Sequence, residues 1–62
     1  MNKEKIYLLA GQKGMKISFI IDKSGVSRKS FYDYLNGNLE PPSDVLLNTA
    51  NTLGVTIDAI KD

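Results

Sequence analysis

The residues of this chain best suited to chemistry on a partner lie between positions 27 and 38. Ser27 is a strong helix N-cap type, and Arg28, Lys29 and Ser30 follow it at once. Phe31, Tyr34 and Leu35 then fall at i, i+3 and i+4. That spacing predicts a helix from about Ser27 to Asn36 with its apolar face turned inward. The other face carries Arg28, Lys29, Tyr32 and Asp33. A guanidinium bonds guanine O6 and N7 bidentately, and a lysine reaches the same acceptors. Tyr32 can pack on a thymine methyl or donate to a phosphate. Asp33 can accept from cytosine N4, or pair with Lys29 four residues before it, and the sequence leaves both roles open. Arg28 and Lys29 also oppose the positive end of the helix dipole, so their presence there is easier to understand where anions neutralise them.

Around these four stand candidates for the phosphate backbone. Ser27 and Ser30 offer hydroxyls, although Ser30 equally suits a capping turn. Asn36 and Asn38 flank Gly37 after the helix. Amide side chains and loop N–H groups commonly position a phosphate backbone without reading its sequence. Asn-Gly also suits left-handed turn geometry in any protein, so both readings stand.

Composition narrows the classes that need considering. The chain has 62 residues with no cysteine and no histidine. That removes disulfides, thiolate metal sites and the usual general base. No carboxylate pair sits in an apolar setting, and the glycines read as helix stops, so neither an enzyme nor a cofactor or small-molecule site is expected. Phe19, Ile20 and Ile21 are followed at once by Asp22, far short of a membrane span. No signal-peptide pattern is seen, and the expectation is a cytoplasmic protein. Net charge is only +1, but it is segregated. Residues 1–30 carry seven cations against Glu4 and Asp22, a net +5, and residues 31–62 carry Lys61 against five carboxylates, a net −4. A dipolar molecule with one basic region is a plausible footprint for a polyanion.

The elements that must position this face follow from the punctuation. Gly11, Gly14, Gly25, Gly37, Pro41, Pro42 and Gly54 cut the chain into segments of helical length. One domain over residues 1–62 is expected, with five short helices. The first runs roughly from Lys3 to Gln12, with Ile6 and Leu9 on one face and Met15 beyond. The second, Ile17 to Ser24, places Ile17, Ile20, Ile21 and Ser24 at helical spacing, although so short an apolar run also fits a strand. The third is the helix described above. The fourth starts at Pro42 or Ser43 and stripes Val45, Leu46, Thr49, Ala50 and Leu53 before Gly54. The fifth begins at Thr56 and turns Ile57 and Ile60 to one side. Phe31, Tyr34, Ile20, Leu46, Ala50 and Leu53 are the expected core.

The join between the second and third segments is the most informative feature. Two helices linked by a tight Gly25–Val26 turn, the second presenting an exposed polar face, describe a helix-turn-helix. The ordered signposts Lys13–Gly14, Ile20, Gly25–Val26–Ser27, Phe31 and Asn36–Gly37 continue into Pro41, Leu46, Ala50, Leu53, Val55 and Ile60. Over residues 4–61 the chain resembles the phage Cro and repressor family, the xenobiotic-response-element class of regulators. The resemblance implies an all-α, compact five-helix lambda-repressor-like domain whose third helix enters the major groove of an operator, bound as a homodimer with one half-site per protomer.

Three positions depart from the family pattern. Many members carry a small alanine where this chain has Ile21, at the close crossing of two helices, and Ser24 offers room one turn on. Many place a phosphate-binding glutamine where Ile17 stands, so Lys16 or Ser18 would have to substitute. An arginine–glutamate pair that members often form is replaced by Ala10 and Leu35, and apolar contact in place of an ion pair need not destabilise a core. The competing expectation is a helical protein-interaction module of the same fold that does not bind DNA. For a dimer, the apolar residues not needed in the core are Leu39, Val55, Ile57 and Ile60.

Overall fold

Asn2 starts the first helix, its Oδ1 accepting from Lys5 N at 3.1 Å. The computed structural model describes residues 1–62, with α1 (Lys3–Lys13), α2 (Ile17–Ser24), α3 (Arg28–Leu35) and α4 (Ser43–Leu53) followed by one 3₁₀ turn (Ile57–Ala59). Glu4 in the first turn of α1 and Lys13 in its last complement the helix dipole, and Gly14 closes it. The ambiguous second segment is a helix. Its apolar residues fall on one side, with Ile20, Ile21 and Ser24 buried and Ile17 half-buried. Gly25 ends α2 at φ +84°, a left-handed conformation in which a side chain would be strained. The chain thereby reverses within three residues to the N-cap of α3.

The expectation of five helices is overturned, since the structure has four α-helices and a single 3₁₀ turn. The physical reason lies in what Ile60 must do. Thr56 makes no side-chain capping bond, and Ile60 already leaves helical geometry at φ −121° and ψ 1°. There its side chain is fully buried in the core. Its carbonyl accepts from Asn2 N at 2.7 Å instead of continuing a helical ladder. Two β-branched isoleucines over one turn add no propensity to resist this. Ile60 is therefore a core residue and is unavailable for a dimer interface.

The core joins Ile6 and Ala10 of α1, Ile20 and Ile21 of α2, Phe31 and Leu35 of α3, and Ala50 and Leu53 of α4 with Ile60. Of the six residues expected there, Phe31, Ile20, Ala50 and Leu53 are buried, while Leu46 and Tyr34 are half-buried. Ala10 and Leu35, which stand in place of an ion pair, both belong to the core. Helix α4 packs chiefly against α2, and also against α1 and the 3₁₀ turn; α3 is mounted on α2. Two polar side chains are buried in this frame, and both return their hydroxyls to their own helix. Ser24 Oγ donates to Ile21 O at 2.6 Å and Thr49 Oγ1 to Val45 O at 2.8 Å. No buried side-chain polar atom lacks a partner, and no helix is long and apolar enough to cross a membrane.

Two stability outcomes follow. Ile60→Ala should cost about 2–5 kcal/mol in denaturant unfolding, as for other buried isoleucines; a cost within about 0.5 kcal/mol, as at surface sites, would remove the 3₁₀ turn from the cooperative core. Gly11→Ala should stabilise by roughly 0.5–1 kcal/mol. Gly11 is helical, lacks a positive φ, and an added Cβ would meet nothing within 4 Å.

Candidate nucleic-acid interface

The mounting of α3 is local and tight. Ser27 Oγ accepts from Ser30 N at 3.2 Å and donates to Ser30 Oγ at 3.1 Å. The predicted N-cap is thus in place, and both serine hydroxyls are engaged in it. Phe31 and Leu35 anchor the inner face at 0% and 3% exposure. At the far end the Asn36 N–H bonds Tyr32 O at 2.9 Å, and the loop folds back so that Asn38 N and Leu39 N both reach Asp33 O. Helix α3 therefore spans Arg28–Leu35, with Ser27 and Asn36 as its caps.

The outer face divides into two edges. Along one, Lys29 Nζ lies 3.2 Å from Asp33 Oδ2, an i,i+4 ion pair. Lys29 lies largely in solvent, with 87% of its side chain exposed, whereas the Asp33 side chain is 24% exposed. Along the other edge, Tyr32 and Asn36 turn toward α1. Tyr32 packs on the core, and its hydroxyl neighbours Tyr7; Asn36 Oδ1 accepts from Lys3 Nζ at 3.1 Å. Arg28 is exposed and makes no ion pair or hydrogen bond through its guanidinium.

The other predicted positions fall apart from this face to different degrees. Asn38 is exposed in the loop after α3. Lys16 occupies the N-cap position of α2, exposed, with no side-chain capping bond, and Ser18 is half-buried in the first turn. Neither makes a hydrogen bond or an ion pair to α3. Ile17 packs its side chain on the core, so the start of α2 offers Lys16 and free amides to an anion. Among the apolar residues set aside for a dimer, Leu39 is 53% exposed, while Val55 and Ile57 pack against the core. Leu8, Phe19 and Leu47 are also exposed.

Two residues beside α3 escaped the sequence reading, Lys3 and Tyr7. They are four apart on α1, as Tyr32 and Asn36 are four apart on α3, and the two pairs meet in opposite order. The matching spacing was visible, but nothing in either helix alone says which faces meet. Comparison with known proteins returned no match, whether to a family model, to a curated protein or to a solved structure.

The contact between the two tyrosines has a titration consequence. Partial burial, and next the neighbouring Tyr32 hydroxyl, raise the Tyr7 pKa above its ordinary 10.0. The folded value exceeds the unfolded one, so the associated stability is complete below pH 10 and is lost as pH rises through the folded value. Tyr32→Phe should return the Tyr7 titration part of the way, because burial is the larger cause. Phenolate absorbance checks this, and a Tyr7 titration unmoved by the change would remove Tyr32 as a cause.

Proposed function

We propose that this domain binds double-stranded DNA sequence-specifically as a transcriptional regulator, acting as a repressor by occupying its operator. The observation that carries the reading is the pair of exposed cations, Arg28 and Lys29, in the first turn of a helix fixed from behind by Phe31 and Leu35. The helix dipole disfavours cations at that end, and Arg28 has no carboxylate to compensate it. Guanine edges or phosphates would supply what the protein does not. An α-helix with its side chains is about 10–12 Å across, which fits the major groove, itself about 12 Å wide.

In this mode Arg28, Lys29 and Asp33 meet base edges, and Tyr32 contributes from the side of α1. Lys16, Ser18, Ser27, Ser30, Asn36 and Asn38 serve the phosphates through side chains or adjoining amides. Lys3 joins them, because it is held at the end of α3 by Asn36. Such contacts position a protein on the duplex, while the base contacts select the site. A second copy on the other half-site would double the contacts of so small a domain. The resemblance to the Cro and repressor family supports the same assignment.

Affinity for duplex DNA should fall steeply with salt, with a log–log slope of roughly −0.9 per phosphate contact. Arg28→Ala combined with Lys29→Ala should abolish sequence preference in selection from a random duplex pool. Binding that is independent of salt, or undetectable at low ionic strength, overturns the proposal.

A further inference from the structure

We infer that Lys29 and Asp33 act as one unit that reads a single G·C base pair across both strands, Lys29 taking the guanine and Asp33 the cytosine. The inference rests on the DNA-binding reading above and specifies what that face selects. Lys29 Nζ and Asp33 Oδ2 stand 3.2 Å apart as donor and acceptor. In a G·C pair, guanine O6 and cytosine N4 are hydrogen-bonded to each other and so lie about 3 Å apart. Both point into the major groove as acceptor beside donor. The protein pair thus has the same spacing with the roles reversed, ammonium toward O6 and carboxylate toward N4.

The numbers of donors and acceptors agree with this assignment. An ammonium has three N–H donors. Lys29 uses one on Asp33, and guanine presents the two adjacent acceptors N7 and O6 to the remaining pair. Asp33 Oδ2, the oxygen at this spacing, keeps a further lone pair to accept from cytosine N4 beside the bond from Lys29, and Oδ1 accepts no hydrogen bond within the protein. A T·A pair presented the same way would offer Lys29 a single acceptor, O4, with the thymine methyl beside it. The carboxylate also excludes alternatives. It is the only acidic side chain on α3, and any edge that turns an acceptor toward it leaves two negative dipoles opposed. The backbone that carries it is held from behind, because the Asp33 carbonyl accepts from Asn38 N at 2.9 Å and Leu39 N at 3.3 Å. Lys29 is the more exposed partner, and its ammonium rests beside the Asp33 carboxylate.

The test begins from the duplex that the wild-type domain selects out of a random pool. Each base pair is then exchanged in turn, and affinities are measured by fluorescence anisotropy for wild type, D33N and K29M. Wild type should lose about tenfold or more when the one G·C pair is replaced. D33N and K29M should each lose discrimination at that same pair and retain it elsewhere. D33N should in addition bind unselected duplex more tightly, because it removes a negative charge from the DNA-facing surface. The assignment is overturned alone if D33N keeps the wild-type preference at every position, or if the two variants lose it at different pairs. Absence of any selection by wild type overturns the DNA reading and this assignment together.

Discussion

Where α2 ends, its Ser24 carbonyl accepts a hydrogen bond from Asn48 Nδ2 of α4 at 3.2 Å, and the rest of the outer face depends on this seam. Ser24 is buried to 1% exposure with its hydroxyl folded onto Ile21 O, so it fills little space and leaves nothing unsatisfied. A larger side chain here would force α2 and α4 apart, at a typical overpacking cost of about 1–3 kcal/mol. Gly25 follows directly, and an added Cβ there would come within 3.7 Å of Asn48 Nδ2. The turn is thus tied to α4 on one side and leads into the capped start of α3 on the other. What α3 presents is set by α4 through this short chain of contacts. Ile21 meanwhile is buried at 4% exposure, about one turn before the small Ser24.

A domain of this size exposes much of its surface, and each core side chain carries a large share of the stability. The final turn shows how far that constraint reaches. Ile60 is drawn fully into the core, and Asn2 N grips its carbonyl. Asn2 is also the N-cap of α1, and Lys3 beside it binds the C-cap of α3. One short stretch at the start of the chain therefore links the closing turn to the end of the outer helix. Loosening Ile60 removes a packing partner and also frees one support of α3.

What the sequence made legible was whatever local chemistry decides. Gly14, Gly25 and Gly54 cap three helices in left-handed geometry, and Ser27 caps a fourth at its other end. Each of those boundaries is written in one residue type. The apolar spacing of Phe31 and Leu35, and of Ala50 and Leu53, was likewise sufficient to place them inside. The misses all depend on which elements meet. Helical spacing put Ile57 and Ile60 on one face of a fifth helix, but the core claimed Ile60 before a second turn could form. The spacing places Tyr32 with Arg28 and Asp33 on an outer face, yet α1 lies beside that edge, where Tyr32 neighbours Tyr7 and Asn36 accepts from Lys3. Of the two roles open to Asp33, the ion pair with Lys29 is the one formed within the chain.

The starts of α2 and α3 are chemically opposite, and the difference bears on how each would meet a polyanion. At α3, Ser27 takes the Ser30 N–H, so the helix end is partly satisfied and its contribution comes from the side chains Arg28 and Lys29. At α2, Lys16 makes no capping bond and Ile17 is committed to the core, which leaves the first-turn amides without side-chain partners. Amides at a helix start favour an anion without regard to base identity. Side chains on a capped helix can reach base edges, where identity is displayed. Local rules are broken at both places, by a cation as N-cap in one helix and by two cations in the first turn of the other. Such violations are expected where function, and not folding, dictates the residue. In the proposed mode α2 holds the backbone and α3 reads the groove, and the three-residue turn at Gly25 fixes the distance between the two tasks.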